Sequence, residues 1–186
     1  MSSLEWKITV DEGYLEARGG SSLFWYNSSL NIFGGGSEDL NLTQIDVSTK
    51  EIRKIELLGE DPGYRQVFPF AVFDDYFYMF PGYSYPIGNF KLDCFRLSLK
   101  TKVSQSINCS FTSVYTSFTQ YENTLFLFGG ETFNQITNDL LQVQLSETLI
   151  IDTVTPTNTY PNPRTGHTMA RCSQYLWLFA GCSSGS

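Results

Sequence analysis

An all-β fold of repeated four-stranded sheets is what this sequence predicts, and three observations predict it. The first is a recurring mark in which a phenylalanine closes an apolar run and glycine follows within two residues. It appears as Phe33-Gly34-Gly35, Phe80-Pro81-Gly82, Phe128-Gly129-Gly130 and Phe179-Ala180-Gly181, with steps of 47, 48 and 51 residues. The second is coherence at fixed offsets from the mark. Fifteen residues upstream stand Arg18, Arg65, Ser113 and Arg164; twelve residues upstream stand Ser21, Phe68, Thr116 and His167. The third is composition, with 15 Phe and 11 Tyr in 186 residues and no sustained helical period. Aromatic residues favour strands, and a repeat of this length built from strands is the signature of a β-propeller.

Each unit reads in the same order. A first strand is expected over 22–26, 68–73, 115–120 and 168–172, and a short polar turn follows it. The second strand, over 30–33, 76–80, 125–128 and 176–179, is apolar throughout. An uninterrupted apolar run of that length suits a strand buried on both faces between stacked sheets. Glycine ends it because a residue without Cβ accepts positive φ and lets backbone approach closely. A longer loop leads to a third, alternating strand over 42–47, 94–99 and 141–145. A polar turn then precedes a fourth, exposed strand over 52–57, 103–107 and 149–154. Four antiparallel strands running from inner to outer make one blade.

Composition excludes several classes. The formal net charge is −7 and there is no basic stripe, so nucleic acid and anionic membrane are not the expected partners. The first residues, Met1-Ser2-Ser3-Leu4-Glu5-Trp6-Lys7, do not read as a signal peptide, and no apolar run approaches the ~20 residues of a membrane span. Cys94, Cys109, Cys172 and Cys182 show no paired spacing, and His167 is the only histidine. A zinc site is therefore not expected. Free thiols in a reducing compartment, cytoplasm or nucleus, are the simplest reading. Three glycosylation triplets begin at Asn27, Asn41 and Asn108, and they carry meaning only on a secretory route.

The glycine doublet after the second strand, Asn138-Asp139-Leu140 opening a third strand, and Asn162-Pro163-Arg164-Thr165-Gly166-His167-Thr168 opening the last unit resemble kelch repeats. The likeness covers nearly the whole chain and is most specific over 113–145 and 162–181. Pro81 and Ala180 depart from the doublet, and the fourth-strand tryptophan of such repeats is missing. The resemblance implies a kelch-type β-propeller whose members mostly bind proteins through loops at the blade ends. It also implies that an N-terminal strand closes the last blade; residues 4–10, with Trp6 to Val10 at their centre, read as that outer strand.

The units run over about 18–63, 64–112, 113–161 and 162–186. The fold class expected is thus an incomplete propeller, three full four-stranded blades plus half of a fourth. A longer polypeptide is the favoured source of the remainder, and another chain the alternative.

The function expected is protein–protein recognition by an adaptor or scaffold, without catalysis, metal or cofactor. The alternative is a structural subunit whose blade faces are buried by neighbouring chains, and after it a fragment of a propeller enzyme. His167 stands in a repeat column and lacks a recognisable nucleophile motif beside it, so its reading is structural. Arg18, Arg65 and Arg164 recur at one mouth. They either present guanidiniums to an acidic peptide or bond backbone carbonyls within the blades. Tyr83, Tyr85 and Phe133 are aromatics in polar loops, a composition found at binding hot spots; capping of the blade core is the competing role. These six residues are the predicted partner-binding set.

Overall fold

The computed structural model describes residues 15–36, 40–84, 88–157 and 159–183. Among them there are strands and connections but no helix. The expected outer strand at 4–10, and Tyr85, lie outside the described residues.

The first sheet is a meander of β1 (Ser22–Tyr26), β2 (Ser29–Phe33), β3 (Leu42–Asp46) and β4 (Ile52–Ile55), all antiparallel. Next comes β5 (Leu58–Gly59), a two-residue strand that leaves the first sheet and lies parallel to the outer edge of the second. The second sheet proper holds β6 (Phe70–Phe73), β7 (Tyr76–Met79), β10 (Cys94–Ser98) and β11 (Val103–Ile107). Between them a small hairpin, β8 (Gly82–Ser84) and β9 (Asn89–Lys91), forms a separate two-stranded sheet. The third sheet repeats the meander as β12 (Ser117–Tyr121), β13 (Thr124–Phe128), β14 (Leu140–Gln144) and β15 (Ile150–Thr153). The last pair is β16 (Thr168–Cys172) and β17 (Tyr175–Phe179).

The three four-strand meanders and the final hairpin follow the expected order, and small boundary differences have local causes. The first strand of the second unit begins at Phe70, not 68, because Val67 takes a φ of 51° and Pro69 has no N–H to give the ladder. In the third unit, Tyr115 takes a φ of 53°, so β12 starts two residues later than expected. Asn27, Asp74, Glu122 and Ser173 adopt left-handed φ in the turns after the first strands, matching turn twist to strand twist.

The sheets stack face to face, and the core lies in the seams. Phe77 and Met79 of β7 join Phe24, Phe33 and Leu42 of the first sheet. Tyr78 and the following Phe80 turn the other way and join Leu125, Leu127 and Val143 of the third. Period-two alternation on one strand thus feeds two cores, as the uninterrupted apolar run predicted. Phe24 stacks on Phe77 at 4.4 Å, and Phe70 meets Phe118 edge-on at 5.1 Å. The Tyr26 hydroxyl donates to Asp75 across the first seam at 2.7 Å, and burial with this bond pushes its pKa up to about 12. No closed ring is formed by the described residues.

One expectation is corrected. Cys94 and Cys109 are joined in a disulfide, with Cα atoms 5.8 Å apart; Cys172 and Cys182 are free. Strand pairing explains it: Cys94 of β10 faces Ile107 of β11, so Cys109 lies just past the paired end. A separation of 15 residues gave no motif to read. The reducing compartment loses its free-thiol support at this pair. Closing a loop of that length stabilises by roughly 3 kcal/mol. Treatment with a thiol reductant should lower the midpoint of urea unfolding accordingly; an unchanged midpoint would contradict the pairing.

Candidate functional site

The loops that follow the second strands and the segments that lead into the first strands share one end of the stack. Backbone hydrogen bonds stitch them together with the repeat. Gln66 and Tyr83 exchange N–H···O bonds, as do Val114 with Glu131 and Thr165 with Cys182. The second glycine of a mark also reaches the next unit: Gly35 N–H donates to the Arg65 carbonyl and Gly130 N–H to the Arg164 carbonyl, each at 2.9 Å. These bonds hold the loop end of each sheet at a fixed place.

The arginine column is turned inward. Arg65 is 1% exposed. Its guanidinium donates to the carbonyls of Pro62, Phe80 and Asp93 and to the Asp93 carboxylate, the last at 3.0 Å. It also lies over the Phe95 ring at 5.2 Å. Arg18 donates to the Gly34 carbonyl at 3.4 Å, and Arg164 to the carbonyls of Asn162 and Ala180. In all three, the planar fork ties the start of a unit to the backbone of its own mark. The expectation that Arg65 meets a partner is therefore corrected: its donors are used inside the sheet. Arg18 and Arg164 reach the corresponding carbonyls, the role that competed with partner binding.

The aromatic residues behave differently. Tyr83 on β8 is paired with Phe90 on β9, ring centroids 6.2 Å apart. Tyr83 also lies 5.9 Å from Tyr115, and Phe90 stacks on Phe133 at 4.8 Å. Tyr115, Tyr83, Phe90 and Phe133 thus make a continuous run in which the second unit's hairpin leans over the third unit. Phe133 is 67% exposed, and the other three are half-buried. Sequence reading found two members, Tyr83 and Phe133. It missed Phe90 and Tyr115, because the β8–β9 hairpin that brings them in has only three residues per strand. The alternation of Gly82-Tyr83-Ser84 and Asn89-Phe90-Lys91 about Gly88 was the available signal.

Two hollows flank the run. One, of about 360 Å³, is lined by Val67, Tyr115, Thr116, Ser117, Gly166 and His167 among others. The second, of about 450 Å³, is lined by Glu131, Phe133, Asn134, Gln135 and Pro163 among others. Tyr115 therefore opens on one hollow and Phe133 on the other. Burial, with Tyr83 and Glu131 nearby, raises the Tyr115 pKa, so its phenol stays protonated and neutral. Val67 and Tyr115 hold the left-handed φ that Gly20 and Gly166 hold at the same repeat position. A β-branched and an aromatic residue in that region carry backbone strain of order 1–3 kcal/mol each, and both strained residues line the first hollow.

His167 sits below this surface. It is buried, its Nε2 is 2.5 Å from Ser117 Oγ, and its ring meets Phe128 edge-on at 5.5 Å. It bridges the third sheet to the final hairpin. Among the described residues no hydrogen bond joins it to a carboxylate, and no group of three or more His, Cys, Asp or Glu side chains is placed to hold a metal. Burial first, then Arg164, lowers its pKa. The unfolded histidine, near 6.5, then binds a proton that the folded one refuses, so stability is complete above about 6.5 and declines as pH falls below it. Thermal melts of the native chain and His167→Gln across that range should converge toward acid; parallel curves would contradict the assignment.

No family model matches the chain, and no curated protein matches it. Its fold does match solved structures, 140 chains in all. One of them is titled "Structure of YjhT", with a TM-score of 0.69 at 12% identity. The match covers 86% of this chain and 57% of that one, so the chain spans little more than half of that structure's length. At this identity the likeness establishes the all-β arrangement of small antiparallel sheets and nothing about activity.

Proposed function

We propose that the chain is part of a kelch-type β-propeller acting as a recognition module, with the loop end of its blades as the binding surface. The observation that carries this reading is the stacked run Tyr115–Tyr83–Phe90–Phe133 between two open hollows. Aromatic side chains on a rigid, hydrogen-bonded loop bed lose little entropy on binding and supply most of the contact energy at protein interfaces. The blades supply the bed, and the arginines fasten it. Ring faces beside Glu131, in a chain of net charge −7, suit a protein segment that brings Arg or Lys to the run. The reaction class is binding, without turnover.

The test uses a random-peptide display library panned on the native chain, with Phe133→Ala as the counter-selection. Selected peptides should be enriched in Arg or Lys. Their affinity should fall at least tenfold on Phe133→Ala, as for a hot-spot residue, while the melting curve stays in place. Peptides that bind native and variant chains alike would overturn the reading.

A second reading, a structural subunit with its sheet faces covered by other chains, is favoured by one specific observation. Leu23, Trp25, Tyr175, Trp177 and Phe179 at the two ends of the stack are exposed.

A further inference from the structure

One repeat column is strained in the two middle units and relaxed in the other two. Thirteen residues before each mark stand Gly20, Val67, Tyr115 and Gly166, with φ of 72°, 51°, 53° and 64°. Glycine takes such angles freely, whereas a β-branched or aromatic residue there is a true backbone outlier. Core packing does not account for the two larger side chains. Val67 is 45% exposed, Tyr115 is half-buried, and neither joins a core cluster. Nor does backbone bonding: the Val67 N–H donates to the Gly20 carbonyl at 2.8 Å, a bond that glycine would make equally well. What the two share is the hollow of about 360 Å³ that both line. Backbone outliers that the core does not require are found at ligand clamps.

The chemistry of that hollow is neutral. Its lining holds no carboxylate, lysine or arginine, and it includes Phe118 and Met169. Burial, with Arg164 nearby, lowers the His167 pKa, and burial raises that of Tyr115, so both rings are uncharged near neutral pH. A charged side chain placed there would lose water without gaining a counter-charge, and Arg164 beside His167 disfavours a cation further. Gly166 also lines the hollow, and a Cβ there would meet open space. The second hollow is different: it is lined by Glu131 together with Phe133. A cation is therefore directed to the Glu131 side, and an apolar group to the side of Val67 and Tyr115.

We infer that the first hollow is an anchor subsite for one aliphatic side chain, Leu, Ile or Met, of the same segment whose Arg or Lys meets the aromatic run, and that Val67 and Tyr115 are the residues that select it. The inference rests on reading the loop end as a recognition surface, and it adds a second specificity element to that surface. Two of the four units carry glycine in this column, and the two that do not supply the walls of the subsite. The centroid steps from Tyr115 through Tyr83 and Phe90 to Phe133 are 5.9, 6.2 and 4.8 Å. They bound the run at ~17 Å, which an extended chain spans in about five residues. The segment that fits is short and extended, with its aliphatic and basic residues about five positions apart or fewer.

The test pairs Val67→Asn with display-selected peptides whose binding to the native chain depends on Phe133. Asparagine accepts a left-handed φ but offers no aliphatic wall, so the melting temperature of the variant should hold or rise. The peptides should carry Leu, Ile or Met within about five positions of their Arg or Lys. Replacing that residue by Ala in the peptide should weaken binding to the native chain about tenfold or more. The same replacement should cost little against Val67→Asn, because the two changes remove one contact. Phe133-dependent peptides without an aliphatic residue at that spacing would overturn the inference and leave the loop-end reading standing. So would an equal loss on native and variant chains, or a Val67→Asn chain that melts lower and binds as before, which would make Val67 a packing residue. A selection that yields no Phe133-dependent peptide would overturn the loop-end reading itself, and the inference with it.

Discussion

Replacing Arg65 by alanine should lower unfolding stability by about 3–5 kcal/mol, the largest effect expected of a single substitution in this chain. The side chain is enclosed, and its donors serve three carbonyls and one carboxylate. Removing it leaves the carbonyls of Pro62 and Phe80 in a water-poor setting, each unmade bond costing about 1–3 kcal/mol. The cavity adds to that cost. The Asp93 ion pair contributes little, since Asp93 is half-exposed and screened. Arg65→Lys should recover only part of the loss, because an ammonium cannot span the carbonyls that the planar fork reaches. In a domain of this size the alanine variant should melt roughly 6–20 °C lower. A melting shift within a degree or two, with lost partner binding instead, would mean that Arg65 faces outward.

The second large effect is expected at Gly129→Val. Gly129 has a φ of 64°, a region costly for a β-branched residue. A Cβ there would come within 2.6 Å of the Arg164 carbonyl oxygen and 3.1 Å of the His167 ring. Strain and overpacking act together at the seam between the third sheet and the final hairpin, for a loss of about 2–5 kcal/mol. Gly166→Ala isolates the backbone part. It shares the positive φ of 64°, but its Cβ would meet open space, so about 1 kcal/mol is expected. Urea unfolding of the two variants measures the difference. Equal midpoints would show that the glycine mark serves chain flexibility, not close approach of the next unit.

Most of the architecture was legible because one pattern recurred four times and each copy checked the others. The apolar run 76–80 was readable as a strand buried on both sides, and Phe77 and Phe80 do enter different cores. What escaped were features that belong to one unit only. β5 crosses to the neighbouring sheet with two residues, too few for a periodic signal. Cys94 and Cys109 meet because of strand register, which spacing in sequence does not reveal. The site was half legible. An exposed aromatic in a polar loop was visible at Phe133 and Tyr83, but their link through Phe90 depends on a hairpin leaning across a seam. The arginines were the opposite case: their recurrence was plain, and only side-chain direction distinguishes a fastener from a binding group.

Hydrogen exchange with and without a bound display-selected peptide tests most directly whether the loop end of the stack is the recognition surface. Added protection should fall on the β8–β9 hairpin, on Val114 and Tyr115, and on the loop carrying Glu131 and Phe133, with β1 and β17 unchanged. Protection confined to β1 and β17, and none on those loops, would contradict the account and place recognition on the end faces.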